Sequence, residues 1–591
     1  RDRTEPPAAY ALGAGPPAQY SSSAATTLPP GALHPALSTA LQRASQGVDM
    51  AHNNNYAEVD SAGGPGIPAF FAGRHVLVTG GTGFMGKVLL EKLLRSCGDL
   101  ERLYIVVRHK RGKAPQERVE EMRKLPLFEP LLKQNPRALD KLHALEGDTT
   151  QVAMGLSEED QRLVQDNVSV VFHLAAGLDW RASLKKATNE NVRGTKNVLD
   201  FCKGMKKLQV LEYTSTAFCQ CTEEVVEERT YEPPFDPHRL MALCDMFDEK
   251  SLESIAPMMY GKHPNCYTYT KAVAEALAAE YVNDIPMLIV RPSVVVPTLR
   301  DPIPGWVDTL NGPMGVLAAA GKGVLRSMMC RAENHAEVFP ADICINAIIA
   351  ATYKRALQPR IQKEVIVYNA CVGDMEEVTW GEVLRLGRKM VNLYPLEWTL
   401  WYPDGTIRTN YWEHIIIVFL FQTIPAYFID FLLLLARQER FMVRVQAKIK
   451  SGHDLLMFFT MREWKFHNRN GRDTLWPSLN AQDRETFFMN NVLPVDKEKY
   501  LERAIFGTRT YCLKESPGTI KYCRRRLRVQ LVVHNLCVAL FYMGLVYLAL
   551  TLLTPYLLPL LPDGLRERAL SIGASRASAG AHRAHHGFAA F

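Results

Sequence analysis

Tyr267 and Lys271 stand four residues apart in the segment Tyr267-Thr-Tyr-Thr-Lys271, so on a helix they lie one turn apart on the same face. A phenol with an ordinary pKa of about 10 moves protons poorly at neutral pH, and a neighbouring ammonium brings it nearer the working range. A hydroxyl able to steady a developing oxyanion would complete the chemistry. The stretch Leu208 to Phe218 supplies candidates, because its apolar strand pattern ends in Thr214, Ser215 and Thr216. Adjacent strand residues face opposite ways, so only one of the last two can meet the tyrosine. Thr216, which precedes Ala217, is the first choice for a catalytic role and Ser215 the alternative. Each pattern also arises by chance on solvated helix faces or in cores, so its meaning depends on the elements around it.

Those elements begin at Val76 to Gly86, which reads VLVTGGTGFMG. A hydrophobic strand here turns into a helix through spaced glycines at Gly80, Gly83 and Gly86, placing free backbone N–H groups and the positive helix end toward a pyrophosphate. Thr79, Gly80, Thr82, Gly83, Phe84, Met85 and Gly86 are therefore candidate cofactor-binding residues. The GxxGxxG spacing is the short-chain dehydrogenase variant of the dinucleotide fingerprint, and the downstream YxxxK agrees with it. A second strand, Leu103 to Arg108, ends in Arg108-His-Lys-Arg111 without the acid that would accept from a ribose 2′-hydroxyl. Arg108 and Arg111 instead suit a 2′-phosphate, which makes NADPH the expected cofactor. Asp148, after a third strand, is placed to accept from the adenine amino group. Ala175 and Ala176, after a fourth, leave room for the ribose, and Lys271 is expected to hold it. The predicted fold is α/β: a Rossmann-type doubly wound parallel sheet of the extended short-chain dehydrogenase kind.

Further motifs carry a closer resemblance. They are Asn191-Val-Arg-Gly-Thr195, Ser215-Thr-Ala217, Arg291-Pro-Ser-Val-Val-Val296, Pro304-Gly-Trp306, Asn311-Gly-Pro-Met-Gly315 and Phe339-Pro-Ala-Asp342. Val367-Tyr-Asn369, Trp380 and Leu400-Trp-Tyr-Pro403 follow. Together, over roughly Gly73 to Glu515, the chain resembles the alcohol-forming fatty acyl-CoA reductases of animals, particularly the insect type, with their male-sterility-like C-terminal domain. The resemblance implies two hydride transfers from NADPH that take a long-chain fatty acyl-CoA through an aldehyde to a primary alcohol and free CoA. Tyr267 would protonate the oxyanion, Thr216 or Ser215 would hydrogen-bond it, and Lys271 would tune the tyrosine. Two departures bear on chain-length preference: Gly177-Leu-Asp-Trp180 stands where Thr-Val-Arg-Phe is commoner, and Lys497 where tryptophan is usual. The alternatives left open are another extended short-chain dehydrogenase, acting on a hydroxysteroid or sugar nucleotide, and an inactive NADPH-binding membrane scaffold.

Composition bounds these readings. With 591 residues and 47% hydrophobic content the chain has room for more than one sizeable core. A net charge of +7 suits CoA phosphates and anionic lipid heads, and is too mild and spread to argue for nucleic acid. Twelve cysteines lie scattered without paired CxxC, so reduced thiols and no metal site are expected. Cys219, Cys221 and Cys266 fall near the motifs and are read as buried, inert thiols.

Organisation follows from shifts in composition. Residues 1–70 are Ala/Pro/Ser-rich and expected to be disordered. The NADPH-binding domain is placed at 71–346, with the interruption Glu223 to His263 contributing to an acyl pocket, and a helical domain at 347–520. Residues 529–561 carry no Asp, Glu, Lys or Arg and are long enough to cross a bilayer, and 562–591 read as a tail. Just before the span, Lys521 to Arg528 is basic, which places the catalytic domain in the cytosol. The expected site is the endoplasmic reticulum membrane, or alternatively the peroxisomal membrane. His414 to Ala436, interrupted by Pro425 and Asp430, is the weaker span and is read as a buried or monotopic segment that admits a fatty chain from the bilayer.

Overall fold

The computed structural model describes residues 65–560, apart from 111, 374–377 and 490–495, with a few isolated positions beyond; the expected disordered segment 1–70 falls almost wholly outside the described residues, as do Arg111 and nearly all of the 562–591 tail. Seven parallel strands form the central sheet: β1 (His75–Thr79), β2 (Arg102–Val107), β3 (Leu142–Glu146), β4 (Val168–His173), β5 (Val210–Thr214), β6 (Met287–Pro292) and β7 (Ile366–Ala370). Their spatial order is β3-β2-β1-β4-β5-β6-β7, so the winding reverses between β1 and β4. That crevice, at the carboxyl ends of the strands, is where such sheets bind ligands.

The strands read as nearly continuous apolar runs because both faces are covered. Val76 and Val78 of β1, Ile105 and Val107 of β2 and Val170 and Phe172 of β4 enter one core, together with helices α1 (Phe84–Ser96) and α4 (Ala341–Ala356). The alternate residues Leu77, Tyr104, Val106 and Val171 enter a second core under α3 (Cys266–Ala279). Helix α2 (Pro115–Arg123) follows the basic loop after β2. Strand β7 lies beyond residue 346, where helical sequence was expected to take over, so the sheet gains an edge strand from that region. Its run Ile366-Val-Tyr-Asn-Ala370 is short and takes its strand character from pairing with β6.

The later part of the chain is mainly helical and is stitched into the sheet domain. Thr406–Arg408 pairs with Ser327–Met329, and Lys465–Phe466 with Val225–Val226. Helix α5 (Trp380–Leu393) comes first. Helices α6 (Tyr411–Val418) and α7 (Ile424–Leu435) are joined through a π turn at Phe419–Thr423, and α8 (Met442–Thr460) runs back toward the sheet domain. Helix α9 (Lys497–Gly507) packs near α5, and α10 (Ile520–Leu557) extends outward. The 223–263 interruption forms two helices whose Leu240, Met241 and Ala256 join the α3-side core.

Candidate active site

The glycine loop leaves β1 with Gly80 at φ +75, a left-handed conformation open to glycine. A Cβ there would lie 2.7 Å from the Ala175 nitrogen, and one on Gly86 would lie 2.3 Å from the Gly80 carbonyl oxygen. The loop is thus drawn tightly against the end of β4 and the first turn of α1. Gly83 caps α1 with no side-chain hydrogen bond, which leaves first-turn amides for an anion. The observed cradle therefore fits a dinucleotide pyrophosphate. Phe84 stacks on Trp306 at 5.5 Å and Met85 packs against the core, so these two hold the helix start in place.

Thr79 ties the two crevice strands together. Its hydroxyl lies 2.7 Å from His173 Nδ1 and accepts from the Ala175 amide at 3.3 Å. Asn191 holds the next turn, accepting from the Gly177 amide at 2.8 Å and donating to Thr270 of α3 at 2.9 Å. The turn after β4 and the helix bearing Tyr267 are thereby linked through one side chain.

At the end of β2, Arg108 is half exposed, with Asp148 at 3.7 Å and Glu190 at 3.9 Å. Asp148 also accepts from the Thr150 amide and hydroxyl. Sequence reasoning missed Arg118. This α2 residue donates to the Arg108 carbonyl and, at 3.2 Å, to the Thr82 hydroxyl in the glycine loop. Its pKa is lowered, first by burial and then by the charge of Arg108. Two guanidinium groups thus converge beside the glycine loop.

The two hydroxyls after β5 diverge as the strand pattern requires. The Thr216 hydroxyl donates to the Pro292 carbonyl at 3.4 Å and lies beside the Tyr267 phenol. Ser215 turns toward Cys219, at 3.6 Å, and toward Glu275. Tyr267 is only partly exposed, and burial pushes its phenol well above the ordinary value, opposed by the Thr216 hydrogen bond. Lys271 is buried; its ammonium donates to the Tyr213 hydroxyl at 3.0 Å and to the Thr214 carbonyl at 2.8 Å. Burial brings its pKa down to about 8, against the pull of Cys219, Glu275 and Glu212. The ammonium is therefore held by the β5 end, with Tyr213 a contact that the sequence did not flag.

Behind this site Glu275 pairs with the buried Arg291, and Arg291 also donates to the carbonyls of Glu227 and Arg229. Burial alone would raise the Glu275 pKa, but the Arg291 charge and its hydrogen bonds win and lower it. Cys219, Cys221 and Cys266 are buried, and burial pushes all three thiols up, the last two to about 11. That is poor ground for a thiolate nucleophile. An aromatic wall closes the outer side. Trp180 stacks on Tyr267 at 6.3 Å and meets Phe459 of α8 at 5.3 Å, and Phe218 touches Phe459, Trp464 and Phe466.

Fold and site together define an oxidoreductase that binds a nicotinamide dinucleotide. Residues 78–348 match the NAD-binding family described as Male sterility protein, and residues 421–515 match the Sterile family of the same description. Fatty acyl-CoA reductase 1 of Xenopus laevis is 35% identical over 462 residues, covering 78% of this chain and 89% of that protein. The Homo sapiens protein of that name is 34% identical over the same shares. Fatty acyl-CoA reductase wat of Drosophila melanogaster is 30% identical, over 80% of this chain and 90% of that one. The chain belongs to the fatty acyl-CoA reductase family. A solved reductase domain of a nonribosomal peptide synthetase from Mycobacterium tuberculosis shares the fold, with a TM-score of 0.51 and 16% identity over 77% of this chain and 96% of that one.

Proposed function

We propose that this protein reduces a long-chain fatty acyl-CoA to the primary alcohol and free CoA, using two equivalents of NADPH and passing through the aldehyde. The carrying observation is the Tyr267 phenol, kept protonated by burial and set beside the Thr216 hydroxyl, within a family of acyl-CoA reductases. The bound nicotinamide would supply the hydride in each half-reaction. Amides of the Gly80 to Gly86 loop would hold the pyrophosphate, Ala175 would line the ribose pocket, Asp148 would accept from the adenine, and Arg108 with Arg118 would pair with the 2′-phosphate. Thr82 and Thr79 shape this cradle through their contacts to Arg118 and His173.

When the thioester carbonyl accepts the first hydride, the oxygen gains negative charge, and Tyr267 gives it a proton while Thr216 donates a hydrogen bond. The resulting hemithioacetal loses CoA thiol to leave the aldehyde. Tyr267, left as phenolate, would regain a proton from solvent, and a second hydride with this second proton would complete the alcohol. Lys271 keeps positive charge behind the relay and is placed to hold the ribose. Because both steps proceed on one phenol, no acyl-cysteine intermediate is needed.

The sheet with its crossovers would serve as the NADPH-binding domain and the later helices as the acyl-binding one. Helix α10 would anchor the enzyme in the endoplasmic reticulum or peroxisomal membrane with this site in the cytosol. Incubating the membrane-bound protein with radiolabelled acyl-CoA and NADPH should yield labelled alcohol; recovery of label only as unreacted thioester or free acid would overturn the reading.

A further inference from the structure

Helices α6 and α7 expose an apolar face that the reaction does not use. Trp412, Ile416, Phe419, Ile424, Tyr427, Phe428, Phe431 and Leu435 are all exposed, Trp412 and Leu435 by 73% and 66%. The buried positions are His414, Gln422, Ala426 and Asp430, three of them polar. Each polar one is engaged by protein. His414 meets the Ser327 hydroxyl at 2.8 Å and stacks on His453 at 4.5 Å. Gln422 accepts from the amides of Arg326 and Ser327 and donates to Gln446. Asp430 accepts from the amides of Phe441, Met442 and Val443 at the start of α8.

These contacts run in antiparallel order, 414 with 453, 422 with 446 and 430 with 442. The apolar segment therefore lies along α8 as a helical hairpin. If α6–α7 crossed a bilayer, α8 would have to recross it carrying Arg444, Lys448, Lys450 and Asp454, which hydrocarbon disfavours. Helix α10, in contrast, presents an almost wholly exposed apolar stretch from Leu536 onward. The two surfaces meet where Phe421 touches Phe541 at 5.7 Å. At the hairpin's turn Arg437, Arg440 and Arg444 are exposed, with Lys448 and Lys450 following on α8; Arg444 pairs with Glu439 and Lys450 with Asp454, and the excess of cations suits anionic headgroups.

We infer that α6–α7 lies in the plane of one membrane leaflet as a monotopic surface, its apolar face in the acyl region and the cations of the turn and α8 at the headgroups. This goes beyond the reductase reading, and it uses α10 only to fix which bilayer face the surface meets. The geometry has a consequence for the site: α8 ends at Phe458 and Phe459, and Phe459 abuts Trp180 beside Tyr267. The leaflet-bound hairpin thereby brings the aromatic wall to the bilayer edge.

The test uses the full chain with Cys537→Ser, reconstituted in phosphatidylcholine vesicles containing phosphatidylserine. A bimane label is placed by Phe428→Cys, Leu432→Cys, Lys448→Cys or, as the α10 control, Leu545→Cys. Labels at 428 and 432 should be quenched several-fold by lipids with a nitroxide high on the acyl chain and less by one near its end, as insertion of about 5–10 Å requires. The label at 448 should respond little, and that at 545 should respond most to the deep nitroxide. Quenching at 545 with none at 428 and 432 would overturn the inference and leave α10 as the sole membrane contact. Deepest quenching at 428 and 432, with Arg440→Cys modified only from the vesicle side opposite the catalytic domain, would show a crossing helix and overturn it too. No quenching at any position would remove the bilayer altogether.

Discussion

In the proposed mechanism Tyr267 would deliver one proton for each hydride, so its phenol would have to be protonated before each transfer. Burial favours that state in this structure, where Lys271 is absent from the groups that shift the phenol. The ammonium instead contacts Tyr213 and Thr214, so its influence on the relay passes through the end of β5. Tyr267→Phe should lower alcohol formation by about 10²–10⁴ while NADPH binding stays within a few-fold, because it removes one proton donor and leaves the cradle intact. Near-normal turnover by this variant would displace Tyr267 from the mechanism. The pH profile gives an independent check. Lys271 has a pKa of about 8 in the folded protein against an ordinary 10.5, so its charge is lost as pH rises through 8. kcat/KM, which reports the free enzyme, should therefore decline above pH 8. Between 8 and 10.5 the unfolded chain would hold the proton that the folded one has released, so this group makes stability rise with pH there. Activity should thus fall while the thermal midpoint does not follow it; a profile flat to pH 10 would remove Lys271 from the working site.

The elements explain which parts of this could be read from sequence. Strands β1 to β5 were legible in their places along the chain, because strands buried on both faces must be apolar throughout. The glycine loop was legible because a sharp strand-to-helix turn admits few residues at Gly80 and Gly86. That Ser215 and Thr216 face opposite ways was legible as strand alternation, whereas which of them serves the substrate was not. Strand β7 was not, since its five residues depend on pairing with β6 for their conformation. Arg118 and Tyr213 were missed, and Asn191 was noticed only as part of a motif, for a related reason: their contacts exist only where separate elements converge, and local spacing carries no trace of that. The convergence of the β2 end with α2 is the most testable case. Arg108 and Arg118 lie close enough for the charge of one to lower the pKa of the other, a cost that a dianionic 2′-phosphate would relieve. Arg118→Ala and Arg108→Ala should each weaken NADPH about tenfold or more, since a charge-assisted hydrogen bond contributes roughly 1.5–3 kcal/mol, and barely alter NADH. Binding titrations that show equal losses for both cofactors would mean that neither arginine reads the phosphate.

At the scale of the whole molecule, the orientation we propose rests on how α10 joins the folded body. Its first turns are docked: Arg524 donates to the Leu393 carbonyl, Arg526 and Gln530 to that of Thr399, and His534 meets Asp404 at 3.2 Å. The apolar run read from sequence as starting at Val529 is therefore still against protein at His534, and its exposed part begins near Leu536. From there to Leu557 is roughly 22 residues, about 33 Å at 1.5 Å per residue, enough for a hydrocarbon core of about 30 Å. Lys521, Arg524, Arg525, Arg526 and Arg528 fall in the first turns of α10, at its docked end. Positive flanks stay in the cytosol, so the active site should face the compartment that supplies NADPH and acyl-CoA. In sealed microsomes, protease added outside should digest the sheet domain without detergent, while a short fragment containing Leu536 to Leu557 remains in the alkali-resistant membrane pellet. Full protection of the sheet domain until detergent is added would place it in the lumen and reverse the orientation. Extraction of the undigested chain by alkali would show that α10 lies on the bilayer rather than through it.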